Sequence, residues 1–332
     1  MGDVLRTTPI LTALKDKYKA CEITWLVAEN SAQVLEKNSL IDRLVRYSER
    51  NLLELRKRPF DLAMNFDKED EALESIQEVS AKRKMGFGKS FDNKLCALDA
   101  ASEYAYRLGI DDDLKFRKNQ KTYQQITFEQ AGLTFKGEEY IFALEKREIA
   151  YARSHLKTLG VLSGKENSPV VGLNTGSGNR FAGKKLSVAS YANLANKFYR
   201  EMKATVLLLG GQDEIERNKE IAKKSLCPVV NTGDHSIKRF AAIVNECDVV
   251  VSGDTIAMHV AIAMKVPVVA FFASTCAAEI ELYGRGKKVV STISCAPCYL
   301  KHCPIDEQCM KDIEPDVLLN AAKELLNEAS VR

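Results

Sequence analysis

The chain has 332 residues, with 48 lysines and arginines against 45 aspartates and glutamates, a net charge of +3, and 45% hydrophobic residues. That length favours about two domains with full cores, and so even a charge balance argues against a nucleic-acid partner, which needs a strongly basic surface. The longest apolar run, Val266 to Ala273, falls short of the roughly 20 residues of a membrane span. The amino terminus lacks the basic-then-apolar pattern of an export signal, so the chain reads as soluble and cytoplasmic.

The opening segment, Met1-Gly-Asp-Val-Leu-Arg-Thr-Thr-Pro9, precedes a helical pattern with Ile10, Leu11, Leu14 and Tyr18 on one face. Asp3 is there either a helix cap or a carboxylate facing a cleft. Glu22 to Val27, Arg43 to Tyr47 and Asp61 to Asn65 predict strands with helices between them. The basic clusters Arg56-Lys57-Arg58 and Lys82-Arg83-Lys84 offer charge for phosphates or carboxylates, or are solvated loop charge. Asp111 to Gly164 is more polar and predicts long loops with a crossing helix. A domain boundary is expected near Lys165. The strand pattern restarts at Pro169 to Asn174 and continues with Ala204 to Leu209, Asp248 to Ser252 and Val266 to Phe272. These short β-branched runs suit parallel strands covered on both faces, and their alternation with helices makes the fold class α/β. A last amphipathic helix, Glu314 to Ala329, has Val317, Leu318, Ala321 and Leu325 on one side.

Three turns in the second half carry chemistry. After the strand ending at Asn174, the glycines of Thr175-Gly-Ser177-Gly-Asn-Arg-Phe-Ala-Gly-Lys184 let backbone N–H groups approach a phosphate. Gly178, Gly183 and Lys184 nearly match a nucleoside-triphosphatase loop, but Lys185 stands where that motif needs a magnesium-binding hydroxyl, so that reading is rejected. Gly210-Gly211 followed by Asp213-Glu214 is either a carboxylate brought to a ribose or ordinary α/β punctuation. Asp254-Thr255 sits between a buried strand and the buried helix Ile256 to Met264, either as a simple cap or as an anion site at a helix amino end. His259 shares the face of Thr255, as a core histidine or a partner of the ligand's contacts.

The histidines 155, 235, 259 and 302 show no metal spacing. Among nine cysteines, Cys21, Cys96, Cys227, Cys247 and Cys276 are scattered and read mostly as small buried hydrophobes. Cys295, Cys298, Cys303 and Cys309 are clustered and form either a structural zinc or iron–sulfur site, or reduced or disulfide-linked thiols in a Pro-rich loop.

In this order the segments resemble glycosyltransferase family 9, the ADP-heptose:lipopolysaccharide heptosyltransferases. The resemblance rests on Gly2-Asp3-Val4-Leu5 with Thr8-Pro9, Ile23 to Val27, the Thr175–Ser177 loop with Lys184, Gly210-Gly211 with Glu214, and Asp254-Thr255 with His259; the cysteine cluster followed by Met310 matches a tail in part of the family. It implies a GT-B architecture of two Rossmann-like domains with parallel sheets facing across a cleft. The expected division is an acceptor-binding domain 1–165, a nucleotide-sugar-binding domain 166–312, and a helix 313–332 returning to the first domain. The resemblance also implies an inverting, metal-independent transfer from an ADP-sugar to a lipid-linked or core oligosaccharide, at the cytoplasmic face of the inner membrane. Asp3 matches the general base. Lys184 and Thr255 face the diphosphate, Glu214 the nucleoside, and Asp254 the sugar or phosphates, with Ile256, Ala257 and His259 completing the donor site.

The chain departs from the family pattern at Ile256, where glycine is usual, at Ala273-Ser274-Thr275 in place of Gly-Pro-Thr, and at Leu186-Ser187 in place of Trp-Pro. The donor is therefore an ADP-heptose or another activated sugar. A strand that precedes Gly-Asp in the family has no counterpart before Met1, which implies that the Asp3 loop lacks its support. Two other classes stay open: a GT-B enzyme such as a nucleotide-sugar epimerase, and a non-catalytic sugar-nucleotide-binding protein.

Overall fold

The computed structural model describes residues 1–161, 168–178 and 183–330. The chain forms two compact units: one comprises Arg6–Ile141 with Ala278–Glu281, the other Met1–Leu5, Phe142–Ala277 and Leu282–Arg332.

The first unit is built from short local pairings. Helix α1 (Gly2–Thr7), whose residues up to Leu5 belong to the other unit, and helix α2 (Ile10–Lys17) lead to strands β1 (Thr24–Val27) and β2 (Arg43–Arg46), which pair in parallel. Helix α3 (Glu49–Arg56), β3 (Phe60–Asn65), α4 (Asp70–Glu78) and β4 (Ala81–Lys89) follow, with β3 and β4 parallel. β5 (Leu95–Ala97) then folds back antiparallel on β4 through a Ser90–Lys94 turn, so this unit is not purely parallel. α5 (Glu103–Arg107) and α6 (Tyr123–Gln130) complete it, with Leu73, Phe87, Ala105, Leu108 and Ile126 in one small core. The basic clusters are engaged by acids and a carbonyl here: Arg56 with Glu78, Arg58 with Glu22, Lys82 with Asp61, and Lys84 with Gln77 O.

The second unit is a doubly wound α/β layer. Its strands are β6 (Val170–Asn174), β7 (Thr205–Leu209), β8 (Val229–Asn231), β9 (Val249–Gly253), β10 (Val268–Phe272) and β11 (Gly286–Val290). They lie all parallel in the order β11-β10-β9-β6-β7-β8. The order reverses between β6 and β9. Helices α7 (Lys146–Thr158), α8 (Val188–Met202), α9 (Ile215–Lys224), α10 (Ile237–Val244), α11 (Ile256–Ala263), the short α12 (Gln308–Lys311) and α13 (Pro315–Ser330) cover the sheet. β9 and β10 are buried along their whole length, as strands covered on both faces must be.

The expected boundary near Lys165 lies outside the described residues; α7 belongs to the second unit, and so do Met1–Leu5, which had been expected with the first. The last helix is also placed differently. Leu318, Leu319, Ala322 and Leu325 of α13 share a core with Tyr191, Leu194 and Phe198 of α8 and with Val171, Val249, Val269 and Phe271 of the sheet. The apolar stripe is thus consumed in covering its own unit's sheet, while Val317 is left exposed. Leu318 is 0% exposed, and Leu318→Ala is expected to lower unfolding stability by about 2–5 kcal/mol in urea titration, as a core truncation does.

Candidate functional site at the strand-order reversal

In an open parallel sheet, loops leave the strands on opposite sides where the order reverses, and a crevice opens at the carboxyl ends. Here that point is the end of β6 and β9. Asn174, the last residue of β6, places Nδ2 2.8 Å from Gly176 O, 3.1 Å from Ser252 Oγ and 3.1 Å from Thr255 Oγ1. Tyr191 of α8 donates its phenol proton to Asn174 O at 2.7 Å, and full burial holds that phenol well above the usual tyrosine range. Thr255 caps α11, accepting from Ala257 N at 3.2 Å. Ile256 is half-buried in the first turn beside it, and Ala257 is buried.

The segment carrying Lys184 is fastened over this crevice. A Cβ on Gly253 would lie 2.2 Å from Lys184 O, so only glycine lets the backbone pass over the end of β9. Arg217 of α9 donates to Leu186 O, and Ser274 Oγ donates to Gly183 O at 3.3 Å. Lys184 Nζ lies 3.8 Å from Asp254 Oδ2, both side chains mostly buried. A cation and the free N–H groups of α11 therefore stand together at a helix amino end.

The Glu214 carboxylate folds back to accept from Gly211 N at 2.9 Å. It also lies against Gly176, where a Cβ would be 2.4 Å from Glu214 Cδ. Gly210 and Gly211 leave room for this return. The structure thus gathers Lys184, Gly210, Gly211, Glu214, Asp254, Thr255, Ile256 and Ala257 around the ends of β6, β7 and β9. Thr175 is turned inward: it is 0% exposed, with its hydroxyl 2.5 Å from Asn218 Oδ1. Ser177 donates to Gly178 O at 3.2 Å. His259 is buried one turn into α11, and Gly2 packs on its ring, where a Cβ would be 3.0 Å from Cδ2. Asp3 is exposed in the first turn of α1, rather than in a loop ahead of a helix.

Sequence reasoning passed over Asn174, Ser252, Asn218, Tyr191 and Arg217. For Asn174 and Ser252 the signal available was a polar residue at or next to the carboxyl end of an apolar strand, VVGLN and VVVSG; Asn218, Tyr191 and Arg217 lie on helices and carry no such signal.

Three of the four clustered cysteines lie against the Lys184 segment, and Cys295 is exposed. Cys298, Cys303 and Cys309 line a small depression with Gly183, Ser274, Leu300 and Glu307. Burial first, and then the neighbouring thiols of Cys303, Cys295 and Cys298, push the Cys309 thiol up. Soft thiolate donors suit zinc or iron, yet among the described residues no three histidine, cysteine or acidic side chains are grouped closely enough to hold an ion.

Beyond β8, Asp234 borders the same crevice, its Oδ1 3.7 Å from where a Cβ on Gly211 would stand. His155 Nε2 and His235 Nε2 lie 2.9 and 2.6 Å from Thr232 O, and Tyr151 OH lies 3.2 Å from His235 Nδ1. A carbonyl only accepts, so both Nε2 atoms carry protons and Tyr151 donates to Nδ1. Burial holds His235 below the usual histidine range, helped by nearby His155 and Arg239 and opposed by Thr232 O and Asp234. The unfolded chain binds that proton more readily. Stability is therefore expected to be full above the ordinary histidine value of about 6.5 and to fall as pH drops through it. Urea titrations at neutral and mildly acidic pH should show this fall, and a smaller one for His235→Gln.

Known proteins resemble the chain along its length. The sequence model of glycosyltransferase family 9 (heptosyltransferase) matches residues 80–308. Lipooligosaccharide heptosyltransferase 2 of Campylobacter jejuni is 22% identical over 345 residues, covering 99% of this chain and 96% of that protein. A family 9 glycosyltransferase from Veillonella parvula superposes with a TM-score of 0.75 at 19% identity, over 98% of this chain and 94% of its own. The E. coli ADP-heptose lps heptosyltransferase II superposes with a TM-score of 0.69 at 16% identity, over 99% and 96%.

Proposed function

Because the chain belongs to glycosyltransferase family 9 and is therefore a glycosyltransferase, we propose that it moves a heptose or related sugar from an ADP-sugar to a lipopolysaccharide core or other envelope glycan. The observation that carries this reading is Lys184 held beside Asp254 at the amino end of α11, at the strand-order reversal. Its cation and the helix N–H groups supply, without a divalent ion, the stabilisation that charge on a departing ADP requires. Glu214 meets the ribose hydroxyls, and Asp254, released from Lys184 by the diphosphate, turns to the sugar.

In the step itself, Asp3 accepts the proton of the acceptor hydroxyl as that oxygen attacks the anomeric carbon. The bond from that carbon to the ADP oxygen breaks, and ADP leaves with the electron pair, so the anomeric configuration inverts. Gly2 packed on His259 supports Asp3 in this role, since it brings the amino-terminal segment beside the helix that binds the diphosphate. The acceptor is lipid-linked or core oligosaccharide, met at the inner face of the membrane. No helix among the described residues is long and apolar enough to cross a membrane.

Transfer from ADP-heptose to a core acceptor, followed by product mass and persisting in EDTA, tests the proposal. Asp3→Asn is expected to cut turnover roughly 10²–10⁴-fold with donor binding nearly intact. Lys184→Ala should weaken ADP binding by about 1.5–3 kcal/mol, as loss of a charged hydrogen bond does. Isomerised donor, or binding without turnover, would replace transfer by epimerisation or by sugar-nucleotide binding alone.

The cysteine cluster has two readings, a structural site for zinc or an iron–sulfur cluster, or thiols that only pack, and as placed its side chains are not grouped closely enough to hold an ion. Elemental analysis of anaerobically purified protein separates them: about one zinc or one cluster per chain marks the metal site, and Cys298→Ser then lowers stability more than turnover. Metal-free protein of undiminished stability would leave the thiols as packing.

A further inference from the structure

Asn174 is 4% exposed and ends β6 where the strand order reverses. Its carboxamide orientation is fixed by Gly176 O, 2.8 Å from Nδ2, because a carbonyl oxygen only accepts and so must face the nitrogen. The second amide hydrogen is shared between Ser252 Oγ and Thr255 Oγ1, each 3.1 Å away. Thr255 Oγ1 also accepts from Ala257 N at 3.2 Å. N–H donors thereby occupy both of its lone pairs, and the hydroxyl proton is what it can still offer. Ser252 gives its own proton to Gly253 O at 2.8 Å. At 3.2 Å from Thr255 Oγ1, Ser252 Oγ is thus a receiver of the Thr255 proton.

We infer that Asn174 is a positioning residue for donor binding, one that makes the Thr255 hydroxyl an obligate hydrogen-bond donor toward a nucleoside diphosphate. In this arrangement the Thr255 proton rests on Ser252. An acceptor-only phosphate oxygen at the amino end of α11 draws it outward. The carboxamide also ties the carboxyl ends of β6 and β9 together, so the loop after β6 and the cap of α11 keep one spacing. This deepens the donor-site reading above and rests on Thr255 meeting the diphosphate.

A double-mutant cycle read by calorimetric titration with ADP tests it. Asn174→Ala is expected to weaken ADP about 10-fold or more, the scale of a hydrogen bond to a charged group. In a Thr255→Val background the same substitution should change ADP affinity by less than about 2-fold, because coupled residues lose their effect together. Asn174→Asp keeps the shape but replaces a donor by an acceptor. It should weaken ADP at least as much, with affinity returning as pH falls and the carboxyl regains a proton. If Asn174→Ala does not fold, this variant carries the cycle.

Equal losses in both backgrounds, with no return at low pH, would make Asn174 merely structural and overturn the inference. Should Thr255→Val leave ADP affinity unchanged while Lys184→Ala still weakens it, the inference falls and the donor site stands. If neither substitution matters, the donor-site reading itself falls.

Discussion

The reversal of strand order between β6 and β9 is the constraint on which the rest of the second unit depends. All six strands are parallel, so every strand presents its carboxyl end to the same edge, and only at the reversal do the departing loops separate. Two buried strand ends meet there with backbone polar groups that no further ladder can satisfy. Asn174 and Ser252 satisfy them with side chains, and Tyr191 reaches in from α8 to the remaining carbonyl. Gly253 then permits a second layer of backbone over the first, which is how Lys184 comes to stand above a helix amino end. The polar groups gathered here are a by-product of solving a packing problem.

Much of this was legible in the sequence, for physical reasons that also explain what was not. Central parallel strands bury both faces, so β6, β7, β9 and β10 are short runs dominated by Val, Leu and Phe. The edge strands β8 and β11 escaped notice: Val229-Val-Asn231 is too brief, and Gly286-Lys-Lys-Val-Val290 carries two consecutive lysines, of which Lys287 pairs with Glu324 and Glu328 of α13. Asp254-Thr255 was readable because a strand, a polar pair and an apolar helix lie consecutively. The bond from Asn174 to Thr255 spans 81 residues and leaves no trace in local pattern. The stripe on α13 was visible, but a stripe states only that something is covered. Thr175 shows the opposite error, since a hydroxyl in a glycine loop is equally able to turn inward to Asn218.

The first unit makes a different point about charge. Arg56-Lys57-Arg58 and Lys82-Arg83-Lys84 are conspicuous as sequence, yet Glu78, Glu54, Glu22 and Asp61 meet four of these cations. Exposed pairs of this kind contribute little stability, about 0–1 kcal/mol. Their effect is on the field: a cation that faces an acid from another element attracts a distant anion less than its place in the sequence suggests.

The ring cluster beside Asp234 sets when its own groups lose their freedom. Thr232 O accepts from two imidazoles, and Tyr151 completes the set with Arg239 stacked 4.1 Å above its ring. Each ring holds one tautomer because each neighbour has only one role left to play. Thr232 and His235 are therefore fixed to each other as the chain folds. For these rings and the Thr232 carbonyl the ordering entropy that contact with another group would otherwise cost is charged to folding instead.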